Sequence, residues 1–273
     1  MIWLEILVLA TVQGITEFLP ISSSGHLAVG EEAFKQLFGF PIEEKLTVHI
    51  VLHGGSLAAI LVFYWQQIWR LLGEDRRVIG LILVGSIPAA FAGLVLKKYF
   101  EAVLVSPLVA GCMFPITGIM LLWAARRKPG ETDYLELGYG QALVIGVFQA
   151  VAILPGISRS GSTIVAGLAL GLKREQAATF SFLLVIPAIG GAMLLEILDN
   201  PTRDVAVGPL FAGAVVSFVV GLLALRWLVL WLKQGRLDLF AWWVIPLGVV
   251  VVAWQLWPLL PFIQLFLRFL LGN

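Results

Sequence analysis

Apolar runs of about twenty residues, separated by short charged connectors, recur at 46–69, 78–96, 102–125, 178–198, 207–232 and 240–265. A helix needs about 20 consecutive apolar residues to cross a bilayer core of ~30 Å, so the pattern predicts six full membrane spans. Two further apolar regions, 1–45 and 138–172, are each interrupted by a proline and then a serine-rich turn with glycine, the composition of a helix break followed by a new helix N-terminus. The interruptions are near copies. QGITEFLPISSSG (Gln13 to Gly25) and QAVAILPGISRSG (Gln149 to Gly161) pair Gln13 with Gln149, Leu19-Pro20 with Leu154-Pro155, and Ile21-Ser22-Ser23-Ser24-Gly25 with Ile157-Ser158-Arg159-Ser160-Gly161, with Gly156 inserted.

Connector charge predicts the topology. Basic residues gather at Arg70, Arg76 and Arg77, at Arg126, Arg127 and Lys128, at Lys173 and Arg174, and at Lys233 and Arg236, which the positive-inside rule makes cytoplasmic. The smaller opposite set is Lys35, Lys45, Lys97, Lys98, Arg203 and Arg268. Each interrupted region then begins and ends on one side, so 1–45 dips in from outside and 138–172 from the cytoplasm. The expected fold is an all-α integral membrane protein, a single domain built as an inverted-topology repeat, 1–137 and 138–273, each half a re-entrant hairpin plus three transmembrane helices, with both termini outside. The alternative is that residues 2–21 cross the bilayer unaided. Tryptophans fall near the proposed span ends, Trp242 and Trp243 among them, as an interfacial aromatic belt.

Composition agrees: 60% hydrophobic residues, 13% charged and a mean hydropathy of +0.97 exclude a soluble domain. A net charge of +1 gives no reason to expect nucleic acid, and the lone Cys112 excludes a disulfide within the chain. The first apolar run lacks a basic leader and carries Glu5, Gln13 and Glu17, unlike a cleavable signal. The 28 glycines allow close helix contacts within one chain or in a homodimer.

A helix start attracts anions, and two half-helices entering from opposite faces aim two such starts at one midplane pocket, suited to phosphate or carboxylate. Arg159 sharpens this, because a guanidinium at membrane depth is costly and its fork matches phosphate oxygens. Its structural alternative is an internal ion pair with Glu17. Gln13 and Glu17, four apart, share a helix face beside the Ser22-Ser23-Ser24 turn, where the carboxylate can serve as general base or help hold a divalent cation whose other oxygens come from substrate phosphates. A buried protonated acid bonded within its hairpin is the bland reading of Glu17. His26 follows the turn, within helical reach of the preceding hydroxyls. Histidine, hydroxyl and anion clamp together are the parts of a phosphoryl-transfer site. His49 and His53, four apart on the next span, are candidate metal ligands or, ranked higher, hydrogen-bonded interhelical residues.

At these residues the chain resembles the integral-membrane undecaprenyl-diphosphatases, also called bacitracin-resistance proteins. QGITEFLPISSSGH (13–26) is similar to that family's (E/Q)-x-x-x-E and serine-histidine motif, and PGISRSGST (155–163) to its arginine motif. The resemblance implies hydrolysis of undecaprenyl diphosphate to undecaprenyl phosphate and inorganic phosphate in the bacterial inner membrane, recycling the lipid carrier of cell-wall synthesis, with the site opening to the periplasm. It implies Glu17, Ser23, His26 and Arg159 as the catalytic core and Ser22, Ser158, Ser160 and Thr163 at the phosphate, with Ser24, Gln13 and His53 also candidates for substrate contact. Gln13 stands where many members have glutamate, and His53 where some carry glutamine. The expected cofactor is a divalent cation, Mg or Ca, with no organic cofactor. In the preferred mechanism Ser23 attacks the terminal phosphorus, with His26 as nucleophile the second choice. A polyprenyl-phosphate or anion transporter would use the same inverted-repeat site without needing the serine, histidine and Glu17.

Overall fold

The structure, a computed structural model, describes residues 2–38, 45–199 and 207–259. Among these residues twelve α-helices follow in order: α1 (Ile2–Thr16), α2 (Ser23–Phe38), α3 (Lys45–Phe63), α4 (Trp65–Leu71), α5 (Arg76–Tyr99), α6 (Glu101–Leu104), α7 (Pro107–Ala125), α8 (Tyr139–Val151), α9 (Arg159–Ala169), α10 (Arg174–Asp199), α11 (Val207–Lys233) and α12 (Asp238–Leu256). Among the described residues there is no strand, only an isolated bridge between Thr132 and Leu172.

Five helices, α5, α7, α10, α11 and α12, are long and apolar enough to cross a bilayer, and the bent pair α3–α4 makes a sixth candidate. None of the five buries more than 39% of its apolar window inside the protein. Ile87, Phe91, Leu94, Ile119, Val219 and Val250 instead point outward, an apolar surface that suits lipid rather than water.

Two expected spans are corrected. The run 46–69 is not one rod: the chain bends by 76° between α3 and α4. Tyr64 leaves helical geometry at φ −104°, ψ 22° and packs its buried ring on Phe63 and Phe182. Trp65, Trp69 and Arg70 of α4 remain exposed, the amphipathic make-up of a helix lying along the interface. The run starting at 102 becomes the short α6 and then α7, because Pro107 takes a first-turn position and Ser106 Oγ accepts the Val109 N–H as cap. Of the span 240–265, residues 260–265 lie outside the described residues, as do Arg203 and Arg268.

The two interrupted regions fold as broken helices. α1 has 15 residues and α8 has 13, rises of roughly 22 and 20 Å that stop short of a ~30 Å core. Packing exchanges the halves: α1 lies on α11 while α8 lies on α5, and α7 pairs with α12. Both exchanged contacts bring backbones together, Gly14 meeting Ser217 and Gly146 meeting Gly85. The core of Phe18, Phe114, Phe180, Phe182, Leu121 and Ile145 closes around the two breaks.

All four basic connectors lie at one end of the bundle. Arg77 donates to the Leu135 and Leu137 carbonyls at 2.8 and 2.5 Å, Arg174 to the Arg127 carbonyl at 3.4 Å, and Lys233 pairs with Glu175 at 2.8 Å. At the opposite end Lys97 pairs with Glu196 at 3.0 Å.

Candidate active site

Each break ends in the same local structure. Ser22 precedes α2 and its Oγ accepts the Gly25 N–H at 3.3 Å; Ser158 precedes α9 and its Oγ accepts the Gly161 N–H at 3.1 Å. These serines cap two of the orphan N–H groups that every helix start leaves. The next residue is therefore the first of its helix in both copies: Ser23 in α2, Arg159 in α9.

The two starts touch. Ser22 Oγ also accepts the Gly156 N–H at 3.0 Å, and Ser160 Oγ donates to the Leu19 carbonyl at 3.3 Å. A Cβ at Gly25 would lie 2.8 Å from the Gly156 nitrogen, and Gly156 sits at φ +93°, so both positions need glycine. The inserted residue of the second motif is thus where one turn lodges against the other.

Glu17 joins the two first residues. One oxygen, Oε2, accepts the Ser23 hydroxyl at 2.6 Å and the Gln13 amide at 3.0 Å, and the other, Oε1, pairs with Arg159 Nη2. The 2.6 Å bond has the length of a charge-assisted hydroxyl–carboxylate contact. His53 Nε2 lies 3.9 Å from the same carboxylate. Two buried polar atoms here have no partner among the described residues, Gln13 Oε1 and Arg159 Nη1. The first is a spare oxygen beside the carboxylate, and the second is half of a guanidinium fork held open. Gln149, which matches Gln13 in the second motif, is likewise buried with both amide ends unpartnered.

The ion pair expected as the alternative for Arg159 is therefore present, and it leaves one nitrogen to spare. Gln13, Glu17, Ser23, Arg159 and His53 come together. Other candidates do not join them. The expectation that the His26 ring reaches the preceding hydroxyls is corrected: Nδ1 donates to the Ser22 carbonyl at 2.8 Å and Nε2 accepts from Trp243 Nε1 at 2.9 Å. The ring lies parallel to Trp243 and edge-on to Phe114, walling an apolar groove of about 420 Å³ with Ile15, Leu19, Ile21 and Phe240. The hydroxyls of Ser22, Ser158 and Ser160 cap helices or lace the turns, and Thr163 bonds the Arg159 carbonyl at 2.9 Å and Ser181 at 2.5 Å. Ser24 is exposed, 3.4 Å from Ser22 Oγ. His49 pairs with Glu31 at 2.5 Å while His53 Nδ1 donates to the His49 carbonyl at 2.8 Å and its Nε2 faces Glu17, so the two imidazoles serve different carboxylates.

Besides His53, two residues at the site lie outside the motifs. Trp243, read as a belt residue, fixes His26. Thr117, buried in α7, bonds the second turn at Gly156 and Ser158. Neither carries a signal in its own stretch of sequence.

Residues 6–250 match the family described as bacitracin resistance protein BacA. The chain belongs to this family. It is 49% identical over 257 residues to an undecaprenyl-diphosphatase of Rhodopirellula baltica, covering 93% of this chain and 98% of the relative. With an undecaprenyl-diphosphatase of Desulfatibacillum aliphaticivorans the identity is 42%, covering 89% and 94%. A third relative so named, from Methanosphaera stadtmanae, is 38% identical over 91% and 96%. Family membership and apolar helices together make the chain a multi-pass membrane protein.

A divalent cation at this site would have Glu17 and Gln13 as its protein donors. Among the described residues no three of His, Cys, Asp and Glu converge. Glu17 and the unpartnered Gln13 Oε1 nevertheless offer oxygens to an ion that draws the rest from substrate phosphates, as magnesium commonly does.

Proposed function

We propose that the chain is an undecaprenyl-diphosphatase that hydrolyses the lipid diphosphate to undecaprenyl phosphate and inorganic phosphate. The names of its relatives support the substrate. The observation that carries the chemistry is the bridge made by Glu17 between the Ser23 hydroxyl and the Arg159 guanidinium, at the first residues of two facing half-helices. Nucleophile, base and anion clamp thereby share one carboxylate.

Ser23 Oγ attacks the terminal phosphorus. Its proton passes to Glu17 as the Oγ–P bond forms, the bridging P–O bond breaks, and undecaprenyl phosphate departs, taking the proton from Glu17. Water then attacks the phosphoserine. Glu17 takes a proton from that water and returns one to Ser23 Oγ as inorganic phosphate leaves. Arg159 holds the phosphoryl oxygens with Nη1 and the fork it completes, while the α2 and α9 starts add their partial positive charge. Gln13 and Glu17 would hold a divalent cation, Mg or Ca, whose chemistry there is neutralising phosphate charge. His26, bonded on both nitrogens, steadies the first turn of α2 rather than exchanging the proton. The apolar groove starting at Ile21, two residues from Ser23, suits the prenyl chain.

The exchanged packing of α1 on α11 and α8 on α5 supports two re-entrant hairpins in an inverted repeat. By the positive-inside rule the basic end is cytoplasmic, and the polar file Glu17, His53, His49, Glu31 leads away from it, so the site opens outward.

The purified protein in detergent micelles is expected to release phosphate from undecaprenyl diphosphate, to lose that activity on chelation and to regain it with Mg. Activity indifferent to chelation would remove the cation. Acid-quenched reactions with substrate labelled in the terminal phosphate are expected to leave label on Ser23; label on His26 would reverse the roles of the two residues.

A further inference from the structure

Most helical threonines among the described residues return to their own backbone. Thr11, Thr16, Thr163 and Thr179 each donate to the carbonyl four residues earlier. Thr117 does otherwise: its Oγ1 leaves α7, donates to the Gly156 carbonyl at 2.8 Å and accepts the Ser158 N–H at 3.0 Å. The residue is fully buried. A hydroxyl has one proton to give, and here it is committed to the loop.

Those two loop groups stand next to the chemistry. Ser158 is the cap immediately before Arg159, and Gly156 donates its own N–H to Ser22, the cap immediately before Ser23. One side chain on a third helix thus holds the joint between the two half-helix starts. We propose that Thr117 is a positioning residue that sets Arg159 against Ser23 and Glu17 without touching substrate.

The role rests on the phosphatase reading above. It is separable from simple packing, because threonine and valine have nearly the same shape and differ at this site in the hydroxyl. Without it the Gly156 carbonyl and Ser158 N–H lose their partner, and the turn before Arg159 is free to shift. Displacements of about 1 Å in a positioned group cost roughly 100-fold in rate. Thr117→Val is therefore expected to lower kcat for phosphate release about 10- to 100-fold with KM changed far less. Thr117→Ser, which keeps the hydroxyl and loses a methyl, is expected to retain turnover within about twofold of the unaltered protein. Combined with Arg159→Lys, Thr117→Val is expected to add little, since two changes acting through one group are not additive.

Rates are taken per folded molecule, with thermal unfolding measured in the same detergent. A Thr117→Val protein that turns over normally, or effects that simply multiply with those of Arg159→Lys, would overturn the proposal. If the valine variant does not fold, Thr117→Cys provides the second test: its weak thiol donor is expected to give turnover between the serine and fully impaired levels, and full turnover would overturn the role. Absence of phosphate release from the unaltered protein would instead remove the phosphatase reading itself.

Discussion

Glu17→Gln is expected to lower phosphate release by roughly 10³-fold, within the range that a positioned general base supplies. The substitution keeps size and one acceptor oxygen but turns the other into a donor, so it removes the charge, the basicity and one accepting side of the bridge together. In the native site one carboxylate accepts the Ser23 hydroxyl and the Gln13 amide and pairs with Arg159. A neutral amide cannot take the Ser23 proton, and it leaves the Arg159 charge without its partner. Breaking a buried pair from one side costs about 3–5 kcal/mol of stability, an upper figure here because the Arg159 side chain is 18% exposed. Turnover and thermal unfolding therefore need to be read on the same preparation. A folded Glu17→Gln protein working within tenfold of the unaltered one would exclude Glu17 as the base.

Arg159→Lys separates charge from shape. The ammonium keeps one positive charge but loses the planar fork, and it cannot hold Glu17 with one nitrogen while offering another in a fixed direction to phosphate. The native guanidinium does this: Nη2 is spent on Glu17 and Nη1 is buried with no partner among the described residues. Loss of one preorganised donor to a developing anion typically costs 10²–10³-fold in kcat, and a fall of about that size is expected, with stability closer to native than in Glu17→Gln. Steady-state kinetics in micelles with thermal unfolding alongside would measure it. Near-normal turnover would mean that the guanidinium serves only to neutralise Glu17.

Hydropathy and the duplicated turns together made much of this molecule readable from the sequence. A span must be long and apolar whatever it packs against, so α5, α7, α10, α11 and α12 stand out, and a polar turn within such sequence is conspicuous. Glu17 and Arg159 were readable as possible partners because both lie in the two copies. The bend at Tyr64 was not, since apolar residues flank it on both sides and the break depends on aromatic packing against Phe182. His26 was misplaced because helical spacing brings it near its own hydroxyls, whereas its ring is claimed by Trp243, 217 residues away. The serine-rich turns, each a proline followed by serines and glycine, were readable as helix starts, and Ser22 and Ser158 do cap the N–H groups of α2 and α9. Thr117 stands among small and apolar residues of α7, and its partners at Gly156 and Ser158 are about forty residues away.

The lodging of Gly25 against Gly156 has a consequence for transport. A carrier built from opposed repeats works by tilting one against the other so that the midplane is exposed first to one side and then to the other. In this chain such a cycle would have to part Ser22 from Gly156 and Ser160 from Leu19, uncovering backbone groups that no lipid can satisfy. A centre fastened this way favours a fixed anvil for phosphoryl chemistry, with the long lipid coming and going around it.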